Sequence, residues 1–235
     1  MQWLRSLIFT TFFFASSVFF GFIIVCAGVL PYPQRFALAR AWGLTQLWAV
    51  RVLCGLHYTV EGEHHIPAGA HIAFWRHSSA WETMAQAVVF PAQAWVLKRE
   101  IRWIPCVGWA TMCLKAIAID RKAHTAAVMQ VVTQGRARLA AGIWVMVFPE
   151  GTRVGVGERR RYGLSGAMLA TQSGAKIVPV AHNAGRFWAR RGLLKQAGTI
   201  RVVIGPPIEA AGRDARVVTE EARAWIDAKV AELGG

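Results

Sequence analysis

From Ser6 to Leu30, 25 residues pass without one charged side chain, in a run rich in Phe, Ile and Val. As a helix this run would measure roughly 37 Å, enough to cross a hydrocarbon core of about 30 Å with some tilt. A cleaved signal peptide has an apolar region of only about 7–15 residues and ends at a small-x-small site. Here the run is longer, and a second apolar stretch follows it. Pro31-Tyr32-Pro33 breaks the helix. Phe36 to Leu56 then resumes with Trp42 and Trp48, interrupted by Arg40 and Arg51. Two arrangements fit: one span followed by an interfacial helix, or a helical hairpin dipping into one leaflet. Arg40 and Arg51 are 11 apart and project from nearly the same helix face, shared with Leu44 and Leu47. Snorkelling arginines and interfacial tryptophans suit the headgroup zone. A buried pair of core helices fits less well, because Ser6–Leu30 has no polar face.

The charge is as uneven as the hydropathy. Lys and Arg total 27 and Asp and Glu 13, a net charge of +14. From Lys98 to Arg201 there are 18 basic residues against Glu100, Asp120, Glu150 and Glu158, so this stretch carries the whole excess. Such a balance points to an acidic partner: nucleic acid, an anionic bilayer or a phosphorylated ligand. The content of 54% hydrophobic residues excludes a disordered chain. Cys26, Cys54, Cys106 and Cys113 form no CxxC pair, which argues against a disulfide scaffold or a zinc site and for buried, reduced thiols.

From His57 onward, short apolar runs alternate with helix-type runs. The strands read as His57–Glu61, His71–Trp75, Ala94–Lys98, Ala116–Ile119, Ile143–Phe148, Lys176–Ala181 and Thr199–Ile204. The helices read as Ala80–Val89, Ala123–Ala141, Leu164–Ser173 and Arg213–Leu233. This pattern predicts an α/β domain over 57–235, with a mostly parallel or mixed sheet covered by helices. A membrane-anchoring helical segment over 1–56 precedes it.

Three clusters follow strand ends, where α/β folds place ligands. The first is Arg76-His77-Ser78-Ser79-Ala80-Trp81-Glu82-Thr83. His77 suits a general base near neutral pH, and a carboxylate on its second nitrogen would fix the tautomer. Five residues separate His77 from Glu82, so they meet only if His77 lies in a loop and Glu82 inside the helix. A structural alternative is a capping box, Ser79-x-x-Glu82. The second cluster is Phe148-Pro149-Glu150-Gly151-Thr152-Arg153, where Gly permits close approach and Arg offers a fork for phosphate. An exposed turn running into Arg159-Arg160-Arg161 would explain it equally well. The third comprises Lys98-Arg99 and Asp120-Arg121-Lys122. These would make a positive rim if the strand ends converge.

Other templates fail. Gly163-Leu164-Ser165-Gly166-Ala167 is not a nucleophile elbow, Gly155-Val156-Gly157 lacks the third Gly of a dinucleotide loop, and His64-His65 lacks a second ligand pair for zinc.

Taken in order, these pieces resemble the 1-acyl-sn-glycerol-3-phosphate (lysophosphatidic acid) acyltransferases of the glycerolipid acyltransferase family. The family's His-x4-Asp block reads here His77-Ser78-Ser79-Ala80-Trp81-Glu82. Its Phe-Ile-Asp-Arg block corresponds to Ile117-Ala118-Ile119-Asp120-Arg121. Its Phe-Pro-Glu-Gly-Thr-Arg block is intact as Phe148 to Arg153, and its apolar block holding Pro reads Ile177-Val178-Pro179-Val180. Lys98 to Pro105 and Gly108-Trp109 look like its stretch between the first two blocks. The resemblance implies His77 as general base and Glu82 as its orienting carboxylate, one methylene longer than the family's Asp. It implies that Arg121, Glu150, Gly151, Thr152 and Arg153 shape the acceptor site, with Arg153 and Lys98 on its phosphate and Pro179 supporting the pocket wall. The partners implied are membrane lipid, lysophosphatidic acid and an acyl-CoA or acyl-carrier protein donor, with no metal, no bound cofactor and no nucleic acid. The basic domain itself argues for the cytoplasmic face of the inner membrane, where positive charge is retained and acyl donors are made. Two rival readings are acylation of another lysolipid and a non-catalytic, membrane-tethered basic binding protein.

Overall fold

The structure, a computed structural model, describes residues 1–235 apart from the side chain at position 124. Two long helices open the chain, α1 (Gln2–Cys26) and α2 (Tyr32–Cys54). Pro31 starts α2, and Gly55 in the left-handed region ends it. The remainder alternates strand and helix: β1 (Leu56–Glu61), β2 (Ile72–Trp75), α3 (Trp81–Val89), β3 (Gln93–Lys98), α4 (Val107–Cys113), β4 (Ile117–Ile119), α5 (His124–Ala140), β5 (Trp144–Val147), α6 (Ser165–Ser173), β6 (Ile177–His182), α7 (Ala184–Phe187), β7 (Gly198–Ile204) and α8 (Ala215–Glu232). All seven expected strands and all four expected helices are present, with ends shifted by a residue or two.

The strands form one sheet in the order β1-β7-β6-β2-β5-β3-β4. Every pair is parallel except β6 with β7. Alternation along the central strands sends side chains to two cores. Ala73, Trp75, Trp144, Met146, Val178 and Val180 pack under α2 and α3, together with Phe9 of α1. Ile72, Phe74, Val145, Val147, Ile177 and Ala181 pack against residues of α5, α6 and α8. Because β2, β5, β3 and β4 are adjacent and parallel, their carboxyl ends share one edge of the sheet. The three clusters expected to carry chemistry all follow those ends.

The two N-terminal helices pack against each other and lie along the domain. Most polar side chains of α1 face inward, Arg5 and Thr11 being exposed. Ser17 accepts from the Trp42 indole N–H at 3.1 Å, and Ser16 accepts from the Gln46 amide at 2.6 Å. Gln2 donates to the Cys54 carbonyl, and Ser6 accepts from the Lys195 backbone N–H. The outward face is Leu4, Leu7, Ile8, Phe14, Val18, Phe19 and Phe22, all exposed. This is the reverse of a soluble amphipathic helix, and it suits a helix with protein on one side and lipid on the other. On α2, Arg40, Leu44, Trp48 and Arg51 form the exposed stripe. Leu47, expected on that stripe, is buried at the domain contact instead. The cysteines need a second correction. All four are free, but only Cys54 is buried, and Cys26 is exposed near the end of α1.

Candidate active site

His77 lies in the loop between β2 and α3, and Glu82 is the second residue of α3. The His77 Nδ1 stands 2.8 Å from Glu82 Oε1. The same oxygen accepts the backbone N–H groups of Ser78 at 2.9 Å and Ser79 at 2.8 Å. The capping and orienting readings of Glu82 therefore describe one atom doing both. The longer side chain reaches all three donors from inside the helix. The box is incomplete, since the Ser79 hydroxyl accepts from the Trp81 N–H at 3.2 Å. Glu82 is fully buried. Burial alone would raise its pKa, but the His77 hydrogen bond, the neighbouring His182 and His77 imidazoles, and the Ser79 N–H outweigh it and hold the carboxyl below its ordinary value.

The Phe148–Arg153 segment holds His77 from the other side. The His77 ring stacks on Phe148, with centroids 3.9 Å apart. Its N–H donates to Glu150 Oε1 at 3.2 Å, and its carbonyl accepts from the Val154 N–H at 2.7 Å. Both backbone polar groups of His77 are thus tied to the loop after β5, leaving Nε2 as the free ring nitrogen. Glu150 is buried beside Arg76, with Arg76 Nη1 at 3.6 Å from its Oε1. Burial pushes its carboxyl up to about 7, partly offset by backbone hydrogen bonding and by Arg76. Gly151 sits at φ +70°, in the region that favours glycine, and its carbonyl accepts from Arg121 at 2.5 Å. Thr152 is exposed in the same turn.

A cavity of about 540 Å³ opens beside this pair. Its walls come from α1 (Phe13, Phe20, Ile24), α2 (Ala39, Trp42), the end of β3 (Trp95, Val96, Leu97) and the segment around α4 (Ile101, Ile104, Val107). His77, Arg121, Phe148 and Arg153 also line it. Arg121 and Arg153 are its charged residues, and both come from strand-end loops. The expected rim is therefore assembled only in part. Lys98 is outside the lining and sits 3.6 Å from Glu100. Arg99 pairs with Asp120 at 3.0 Å. Pro179 is buried within β6, opposite Phe74 of β2, and is also outside the lining.

The residue that sequence reasoning missed is His182, at the end of β6. It is buried, and burial lowers its pKa. One ring nitrogen lies 2.8 Å from the Arg76 carbonyl, and the other accepts from the Ala184 N–H at 3.2 Å. These partners assign the neutral Nε2–H form, which braces the backbone just before His77. The available signal was a lone ionisable residue closing the apolar strand Ile177–Ala181. His65, set aside as a metal ligand, holds a turn through the Ile204 carbonyl at 2.9 Å.

Fold and site define an α/β enzyme built around a histidine–glutamate pair beside an apolar cavity. The chain belongs to the acyltransferase family, whose model, described as Acyltransferase, matches residues 57–183. It is 37% identical to the 1-acyl-sn-glycerol-3-phosphate acyltransferase of Pseudomonas aeruginosa, over 99% of this chain and 93% of that protein. It is 27% identical to the human 1-acyl-sn-glycerol-3-phosphate acyltransferase alpha, over 69% of this chain and 59% of that one. The crystal structure of the 1-acyl-sn-glycerophosphate acyltransferase PlsC from Thermotoga maritima superposes with a TM-score of 0.81 at 20% identity, covering 99% of this chain and 98% of that one. This likeness extends the shared fold through the two N-terminal helices.

Proposed function

We propose that this acyltransferase moves an acyl group from acyl-CoA or acyl-carrier protein to the sn-2 hydroxyl of lysophosphatidic acid, giving phosphatidic acid. The observation that carries this reading is the His77–Glu82 pair facing a cavity that is apolar on its walls and bears Arg121 and Arg153. An apolar acyl chain suits those walls, and a phosphate suits the two guanidiniums. The acceptor hydroxyl attacks the thioester carbonyl while His77 Nε2 takes its proton. Glu82 stabilises the imidazolium through Nδ1. The tetrahedral intermediate collapses, the C–S bond breaks, and the thiolate leaves and takes a proton. No covalent acyl-enzyme is needed. Lys98 reaches a phosphate by exchanging Glu100 for it.

Residues 1–56 serve as a membrane-anchoring hairpin, with domain 57–235 on the cytoplasmic face of the inner membrane. The exposed apolar face of α1 supports this, as does the positive charge retained in the domain.

The test is thioester turnover by detergent-purified protein with acyl donor and lysophosphatidic acid, beside the His77→Ala variant. Acceptor-dependent thiol release and phosphatidic acid, lost by about 10²–10⁴-fold in the variant, are expected. Undiminished turnover in His77→Ala would end the general-base assignment. Arg153→Ala should mainly raise KM for the phosphorylated acceptor, and an unchanged KM would move the phosphate site. Turnover with a different lysolipid alone would keep the chemistry and change the acceptor.

A further inference from the structure

Residues 99–113 match neither strand nor helix periodicity, and their exposed tryptophans have no part in the proposed chemistry. They form a 3₁₀ turn, Arg99–Trp103, followed by the short helix α4, and give the cavity Ile101, Ile104 and Val107 but leave Trp103, Trp109 and Met112 outside it. Trp103 is 69% exposed, Ile104 50%, Trp109 49% and Met112 43%. The turn and α4 pack together, so their two exposed tryptophans with Ile and Met make an apolar patch of the kind that marks an interaction surface. We propose that this patch is a second bilayer-contacting element, seated in the same leaflet as the outward face of α1. The proposal rests on the membrane association proposed above.

Three observations select lipid as the occupant. The first is continuity. Helix α4 packs along α1, so closely that a Cβ on Gly21 would stand 3.0 Å from the Cys106 carbonyl carbon. Phe14 and Val18, seven and three residues before Gly21 and so close to the same face of α1, are exposed, so the two apolar surfaces adjoin. The second is chemistry. The Arg102 guanidinium lies 4.7 Å over the Trp103 ring, combining an interfacial aromatic with a cation suited to a headgroup phosphate. Arg35, whose guanidinium bonds the Cys113 carbonyl, and Lys115 place further cations at the other end. The acid within the segment, Glu100, already faces Lys98. The third is the cavity. Ile104 is half exposed and also lines it, as do Phe14 and Val18 of α1. The wall between cavity and surroundings is one side chain thick at this seam. Lipid there would keep the wall dry.

The experiment uses the full chain in vesicles of phosphatidylethanolamine and phosphatidylglycerol. The photo-reactive residue p-benzoylphenylalanine replaces Trp103, Trp109, Phe19 or Glu220 in turn, and adducts are identified by mass. Expected are lipid adducts at 103 and 109 comparable in yield with those at 19, and at least about tenfold above those at 220 on the far helix α8. Adducts at 19, with 103 and 109 no higher than 220, would overturn the inference and leave the anchoring hairpin standing. Absence of adducts at 19 as well would overturn the membrane reading itself. Cross-links from 103 or 109 to a second protein chain would make the patch a protein interface and also overturn the inference. In a second readout, Trp103→Glu with Trp109→Glu should lower turnover of vesicle-embedded acceptor several-fold. Turnover of a short-chain acceptor in detergent should stay unchanged. Equal losses in both assays would mean the tryptophans act structurally.

Discussion

At the scale of single residues, one carboxylate oxygen organises the site. Glu82 Oε1 gathers the His77 ring and two backbone N–H groups. Glu82→Gln keeps an acceptor there but removes the charge that stabilises the imidazolium. We expect kcat to fall by about 10²–10⁴-fold with KM little changed, read from steady-state turnover. Glu150 gives a pH signature. Its folded pKa of about 7 lies above the ordinary value of 4.5, so the folded state holds the proton that the unfolded chain has lost. The stabilisation this provides is complete below about 4.5 and disappears as pH rises through about 7. Glu150→Gln retains an acceptor for the His77 N–H and abolishes that loss. Its melting temperature should therefore gain on the wild type as pH rises across this window, and parallel melting profiles would refute the assignment. The pair itself was legible in the sequence, because a strand followed by His and then Glu five residues on leaves one way for them to meet. What was not legible is that Glu150 acts on the His77 backbone, a contact across 73 residues. The same holds for His182, which reaches the Arg76 carbonyl across 106.

At the scale of elements, the strands and the main helices of the domain were legible because two-fold alternation and helical stripes are local patterns. The segment 99–113 was not. At Cys106, φ is +59° and ψ −62°, and the Val107 N–H bonds the Pro105 carbonyl at 2.6 Å. This is a strained three-residue turn, held only by its surroundings, with α1 pressed against it. Gly21→Leu should force the two apart and cost about 1–3 kcal/mol, measurable as a lower melting temperature in detergent. The docking of α1 was equally hidden. Its first turns are fixed by Lys195, whose ammonium is buried 4.6 Å over the Trp188 ring, near Phe9, and bonds Thr10 and the Leu193 carbonyl. Lys195→Ala removes that cation–π contact and leaves a void. A loss of about 2–4 kcal/mol is expected by thermal unfolding, with the fold of the sheet retained in circular dichroism.

At the scale of the whole molecule, adjacent parallel strands bring loops from β2, β4 and β5 to one edge, and the basic middle of the chain follows them there. Arg159, Arg160 and Arg161 are exposed and carry no ion pair among the described residues. With a net charge of +14, attraction of the polyanionic donor proposed above is long-ranged. The screening length falls from about 8 Å at 0.15 M salt to about 3 Å at 1 M. KM for acyl-CoA should rise several-fold over that range while kcat holds, and a salt-independent KM would contradict electrostatic capture. The inward polar stripe of α1 also bears on how the protein is made. Ser6 finds its partner on Lys195 only when a residue 189 positions later has been synthesised. At about 5–20 residues per second, translation leaves the Ser6 hydroxyl without this partner for about 10–40 s, whereas Ser16 and Ser17 find Gln46 and Trp42 in the adjoining helix. During that interval α1 is held by α2 and, in the membrane arrangement proposed above, by the hydrophobicity of its outer face. In that arrangement biogenesis runs in a fixed order, with insertion of α1 first and closure of the enzyme around it last.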